Sequence, residues 1–142
     1  MKRSVIITSD ELNPPALLAG RDSSSACGAV LCFLGIVRSF EADSPIQALE
    51  YEAFTRMADH QFGLLMDEVE KRWPVESFRV IHRLGTVKTG EPSLYVEVAA
   101  PHRAEAFEAC QWFIDEMKRV VPIWKKALPL APPPAVDPAQ GC

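Results

Sequence analysis

The sequence predicts an α+β fold: one domain in which a mostly antiparallel sheet carries helices packed on it. Three observations predict it. Strand-like and helix-like stretches follow one another in the order β-α-β-β-α-β-β-α. The last two strands are joined by a short Gly- and Pro-bearing connection of the kind that reverses a chain into an antiparallel neighbour. The 142 residues, 48% hydrophobic and 24% charged, suit a single globular unit with a real core and show no internal repeat.

A short first strand is expected at Ser4 to Thr8. In NPPALLA, Asn13 is placed to cap a brief helix whose first turn Pro14 and Pro15 favour, because their fixed backbone angle already suits it. RDSSSACG is then a polar loop. From Ala29 to Val37, AVLCFLGIV is a β-rich apolar run long enough for a central strand, with a bend expected at Gly35 and Arg38 delivered at its end. SFEADSPIQ reads as a mobile connection. ALEYEAF alternates Leu49, Tyr51 and Ala53 against Glu50 and Glu52, the period of a strand with one wet face, and it can pair antiparallel with the preceding strand.

Thr55 is a fair N-cap for a helix to about Trp73, in which Ala58, Phe62, Leu65, Met66, Val69 and Trp73 recur every three or four residues; Pro74 stops it. SFRVIHRL and SLYVEVAA follow as two strands of a hairpin across GTVKTGEP, where Gly85, Gly90 and Pro92 supply the turn chemistry. The last helix starts at His102 or Arg103 and runs to Val121. Pro122 limits it, having no N–H to donate and disfavouring a helical residue before it. The folded domain is thus expected over 1–126, and the proline-rich 127–142, ALPLAPPPAVDPAQGC, as an extended or disordered tail.

Charge narrows the function. The net charge is −4 and the pI about 5.4, so the basic residues near the end of the chain are a local concentration in an acidic protein. That argues against a general nucleic-acid surface and suits a small anionic ligand. MKRSVIITSD has too short an apolar run for a signal peptide, and nowhere do about 18 apolar residues run uninterrupted, so a soluble, cytoplasmic protein is expected. Cys27, Cys32, Cys110 and Cys142 form no CxxC pair and no metal-type spacing with His60, His82 or His102; neither a metal nor a cofactor is expected. Reduced thiols are the expected state, with Cys32 and Cys110 as small buried hydrophobes and Cys142 as an exposed end.

The most informative stretch is PHRAEAFEACQWFIDEMKRVVPIWKK, Pro101 to Lys126, cationic at both ends. At about 100° per residue, Phe107, Cys110, Ile114, Met117 and Val121 share an arc that faces the core. Lys118 lies about 20° from Phe107, at the rim of that arc. Two readings stand: its stem snorkels along apolar surface, or partial desolvation equips it for proton transfer or anion binding. His102 and Arg103 stand where the helix begins, either as a surface pair or, with the free backbone N–H groups there, as a phosphate site. Arg38 is a solvated strand end or a ligand contact. Lys125 and Lys126 are the usual cationic finish of a helix or functional groups.

Taken together, GAVLCFLGIVR at 28 to 38, ALEYEAF at 48 to 54, the Met57-Ala58 helix start, VIHRLGTVKTGE at 80 to 91 and the long cationic stretch resemble the MoaE family, the large catalytic subunit of molybdopterin synthase. PHR, AFEA, a helix lysine and P-x-W-K stand in that family's order and spacing. The resemblance implies an α/β-hammerhead-like fold. It also implies a sulfur-transferring enzyme of molybdenum cofactor biosynthesis, in which the thiocarboxylate of a small ubiquitin-like subunit delivers two sulfurs to cyclic pyranopterin monophosphate and forms the dithiolene. By motif position, Lys118 and Lys125 would be the catalytic pair. Arg38, His102 and Arg103 would bind the pterin and its phosphate, and Phe33 and Met117 would line the pocket. Two large subunits would form a central homodimer near whose interface the site is built, with a small subunit at each end of the heterotetramer.

Four departures bear on activity. Ala127 stands where the family carries an acidic residue, and LPLAPPPAVDPAQGC replaces a glycine-containing segment leading to a tryptophan. Ile36 and Ser39 flank Arg38 where a basic residue and an asparagine are commoner. They motivate an alternative, a non-catalytic homologue that keeps the dimer and the small-subunit docking surface. A generic anion-binding domain would require the long match to be accidental.

Overall fold

In the computed structural model, which describes residues 1–130, two sheets and three helices enclose two apolar cores. The elements are β1 (Lys2–Thr8), α1 (Pro14–Ala19), β2 (Ala29–Ile36), β3 (Phe40–Glu41), β4 (Ser44–Ala53), α2 (Thr55–Arg72), β5 (Ser77–Arg83), β6 (Gly85–Lys88), β7 (Pro92–Ala100), α3 (Arg103–Val120) and β8 (Ile123–Pro129). The first sheet has the order β1-β5-β7-β2, antiparallel except for the parallel β1–β5 pair. In the second, β4 pairs antiparallel with β3, β6 and β8. The expected α+β class, the Asn13 cap (its Oδ1 accepts from the Ala16 N–H at 3.2 Å) and the irregularity after Gly35 are all present.

The larger core lies between the first sheet and the paired helices α2 and α3. Phe62 of α2, Phe78 of β5 and Phe113 of α3 are fully buried and meet there, with Phe113 4.5 Å from the Phe78 ring centroid and 6.0 Å from that of Phe62. The buried arc of α3 is Ala106, Ala109, Cys110, Phe113, Ile114 and Met117. This corrects the place of Phe107, which is 59% exposed: the arc centres near Ala106 and Phe113, and Phe107 is turned about 100° from Ala106. Cys110 is buried as expected, whereas Cys32 is only half-buried, its Sγ 3.4 Å from the Tyr95 hydroxyl.

Other expectations are corrected. β2 pairs with β7, not with β4, because β4 belongs to the second sheet. Within SFEADSPIQ, β3 and the start of β4 form a tight hairpin. Its two central residues, Ala42 and Asp43, both take positive φ (49° and 65°), the twist that matches a two-residue β-turn. Phe54, not Thr55, is the N-cap of α2, and its side chain makes no capping bond. β5 and β7 do pair antiparallel, but their connection carries β6 across to β4. The folded strand β8 extends past Lys126, with Ala127 and Leu128 opposite Leu49 and Ala48, so the domain boundary expected at 126 falls inside a strand. The remainder of the tail from 131, including Cys142, lies outside the described residues.

Two outcomes follow from this packing. Phe113→Ala removes the ring that joins α3 to both α2 and β5, and is expected to lower unfolding free energy by about 3–5 kcal/mol in a urea titration. Glu76, at the entry to β5, accepts from the Ser24 hydroxyl, from the Ser24 N–H (2.9 Å) and from the Cys27 thiol (3.0 Å), which together hold its carboxyl down to about 2. A depressed carboxylate stabilises the fold above its unfolded value and loses that effect as pH falls through its folded one. The stability difference between the natural chain and Glu76→Gln should therefore be full above about 4.5 and shrink as pH falls toward about 2.

Candidate active site

A pocket of about 630 Å³ opens at the seam between the two sheets, under the C-terminal end of α3. Each element reaches it for a local reason. Val37 is buried in the smaller core and exchanges backbone bonds with the β6–β7 connection (Val37 N–H to Glu91 O, 3.1 Å; Gly90 N–H to Val37 O, 2.8 Å). That anchor turns the next residue, Arg38, outward at the pocket. Pro122 ends α3, so the chain reverses into β8. There Lys125 faces Tyr51 of β4 in register, two residues after Ile123 has begun the strand.

Five of the seven residues singled out in the sequence come together in this wall: Phe33, Arg38, Met117, Lys118 and Lys125. Lys118 is exposed on the last turn of α3, where the helix dipole favours a cation, so the chain alone does not give it the partial burial expected at the rim. Among the described residues neither Arg38 nor Lys118 has an ion-pair partner; Lys125 has one, Glu41 of the β3 hairpin, at 3.1 Å. Three cations against one carboxylate make the mouth of the pocket electropositive on a chain of net charge −4.

His102 and Arg103 do not join them. Both are exposed at the opposite end of α3, His102 with Nδ1 3.8 Å from the Glu105 carboxylate. Fifteen residues separate Arg103 from Lys118, about 22 Å of helix, so one small ligand cannot touch both within one chain.

Sequence reasoning missed two side chains here. Glu41 falls within the stretch expected to be a mobile connection, and the Ala-Asp tip that fixes its hairpin lacks the glycine or asparagine that marks such turns. His82, at the end of β5, lines the pocket floor and is 5% exposed. Its Nδ1 lies 2.8 Å from the Arg83 carbonyl oxygen, and Tyr51 meets its ring edge-on at 5.1 Å. Burial pushes its pKa down, only partly offset by the backbone hydrogen bond, so the ring is neutral near pH 7. Tyr51 in turn donates to the Ser93 hydroxyl (3.3 Å), and Ser93 donates to the Gly35 carbonyl (3.4 Å), joining the two sheets across the floor.

Comparison with known proteins gives this arrangement a family. The model of the MoaE protein family matches residues 7–120. The molybdopterin synthase catalytic subunit of Pyrococcus abyssi is 40% identical over 104 residues, 73% of this chain and 70% of that protein. The crystal structure of molybdopterin synthase from Staphylococcus aureus superposes with a TM-score of 0.79 at 29% identity, covering 87% of this chain and 89% of that one. The complex of subunits 1 and 2 of molybdopterin-converting factor from Helicobacter pylori gives 0.68 at 25%, covering 90% and 89%. A match that spans both cores and every pocket-bearing element up to the last turn of α3 makes this chain a member of the MoaE family.

Proposed function

We propose that this chain is the catalytic subunit of a molybdopterin synthase, which inserts two sulfurs from a thiocarboxylated small subunit into cyclic pyranopterin monophosphate. The observation that carries the proposal is the convergence of Arg38, Lys118 and Lys125 on one pocket in a chain of this family. The sulfur arrives with its partner, so the pocket must hold an anionic pterin, receive a thiocarboxylate tail and move protons. Fixed cations suit the first two tasks, since phosphate and thiocarboxylate are both anions. Lys118 and Lys125 are the proposed proton-transfer and acyl-handling pair, with Arg38 on the substrate and Phe33 and Met117 as apolar walls.

His102 and Arg103 fit this reading when a second copy supplies them. About 22 Å of helix keeps them from their own Lys118, but a homodimer that sets the start of one α3 beside its partner's pocket brings phosphate-binding groups to the substrate. The small ubiquitin-like subunit completes a heterotetramer. A cytoplasmic location accords with this role, and no helix of the described residues is long and apolar enough to cross a membrane.

Ala127 favours a second reading, a homologue that binds its partner without turning over. It sits two residues beyond Lys125 on the same side of β8 and packs against the Val37–Ile46–Leu49–Val87 core, so it offers Lys125 no carboxylate. Glu41 offers one from the other side.

Mixing the purified chain with thiocarboxylated small subunit and cyclic pyranopterin monophosphate separates the two readings: dithiolene product supports the first, a stable complex without product the second. With product, Lys118→Ala is expected to lower turnover by about a hundredfold or more while dimer and partner binding persist; unchanged turnover would remove its assigned role. Glu41→Gln should leave stability within about 1 kcal/mol, because the pair is half-exposed, yet lower turnover several-fold by releasing Lys125. Turnover equal to that of the natural chain would show that Lys125 needs no such partner.

A further inference from the structure

Three of the four charged side chains at the pocket mouth, Arg38, Lys118 and Lys125, are donors with no lone pair to offer; the fourth, the Glu41 carboxylate, is an acceptor that faces Lys125 through Oε1. A pterin ring, however, carries N–H groups as well as an anionic phosphate, and N–H groups closed into a pocket need acceptors. On the floor, the hydroxyls of Tyr51 and Ser93 commit their hydrogens to a chain that ends on the Gly35 carbonyl; their oxygens keep lone pairs, but a hydroxyl can rotate to donate or accept. His82 differs. A carbonyl oxygen only accepts, so the 2.8 Å contact with the Arg83 carbonyl requires a hydrogen on Nδ1. In a neutral imidazole the lone pair is then on Nε2, which has no hydrogen-bond partner among the described residues. The edge-on Tyr51 ring and the register of β5 between β1 and β7 hold that imidazole in place.

We propose that His82 is a substrate-binding residue whose Nε2 lone pair accepts a hydrogen bond from an N–H of the ligand's ring system, so that the ligand lies with its donor edge on the pocket floor and its anionic group at the cationic mouth. The proposal rests on the pterin-binding reading of the pocket and adds an orientation to it. His82 is then the counterpart of the cations: they select for the anion, and the buried acceptor selects for the ring. An isosteric ligand without the donor leaves Nε2 unpaired in a closed site, the kind of penalty by which buried polar groups discriminate.

The test combines binding with imidazole NMR. In the natural chain, the ¹⁵N resonances of His82 should show a protonated Nδ1 and an unprotonated Nε2, and cyclic pyranopterin monophosphate should move the Nε2 signal upfield toward that of a hydrogen-bonded nitrogen. The opposite tautomer, or an Nε2 signal that stays put at saturating ligand, overturns the proposal without any variant having to fold. By calorimetry, His82→Phe, which keeps a ring against Tyr51 but has no acceptor, is expected to bind the pterin about tenfold more weakly. His82→Gln, whose amide oxygen can reach the Nε2 position, should recover most of the loss. If the natural chain binds and His82→Phe binds equally well, only the role of His82 falls. If the natural chain does not bind the pterin at all, the functional reading falls and this proposal with it.

Discussion

Pro122 is the turn on which the site depends. Its ring removes a donor from the helix and keeps Val121 out of helical geometry, so α3 must stop one residue earlier. Its carbonyl accepts from the Phe54 N–H at 3.1 Å, tying the reversal to the junction between β4 and α2. From that fixed corner β8 runs back along β4, with Ile123 opposite Ala53 and Lys125 opposite Tyr51. A helix that continued through 122 would carry Lys125 onward along its axis, away from the second sheet. The break instead puts a cation on each side of the corner, Lys118 on the last helical turn and Lys125 on the strand, facing one volume.

The pocket at that corner combines a rigid floor with a charged mouth. Its floor joins two sheets through Tyr51, Ser93 and His82, with Tyr51 and His82 positioned by strand pairing and Ser93 at the irregularity of the β2–β7 pair. Its mouth carries Arg38, Lys118 and Lys125 on segments that end or begin elements, and all three are exposed. Several cations elsewhere are matched: Arg3 with Asp67 and Glu70, Arg79 with Glu97, Arg83 with Glu91. Those pairs tie strands to a helix, to each other or to a connection, whereas at the mouth only Lys125 has a partner, Glu41, and Arg38 and Lys118 are left to meet a ligand. Unpaired cations at a surface cost little because water solvates them, and they become strong hydrogen-bond donors only when a bound anion and a partner exclude that water.

How much of this is legible in the sequence depends on whether the signal is local. The helical periods of α2 and α3, their proline stops, and the alternation in ALEYEAF are local; they identify the two helices within a residue or two and the end of β4, whose start lies four residues earlier at Ser44. Pairing is not local. Nothing in AVLCFLGIV says that its neighbour is β7 rather than β4, since either would bury the same residues. β8 escapes a periodicity reading because WKKALP alternates poorly, and its place is decided by β4, seventy residues earlier. Phe107 misleads for a related reason. A helical wheel gives the width of an apolar stripe but not its centre, and the small Ala106 and Ala109 mark the sheet-facing side better than the large aromatic does. Of the site, the cations are legible through the order of the family's motifs. Glu41 and His82 become visible only when two sheets meet around one space.

Placing five site residues in one wall while leaving His102 and Arg103 at the far end of the same helix has a consequence for how such a subunit works. A helix of 18 residues is a rigid spacer, and no side-chain motion closes about 22 Å. If those two residues serve the substrate, they serve a neighbour's substrate, and each α3 then links two pockets, contributing an anion-binding start to one and a lysine-bearing end to the other. Gly28 bears on that arrangement. It donates to the Pro101 carbonyl at 3.1 Å, and a Cβ added there would stand 2.7 Å from the same oxygen, so the backbone just before His102 is held against the start of β2. β2 in turn ends near Arg38. The segment that presents the start of α3 and the strand that feeds this chain's own pocket are therefore one connected unit.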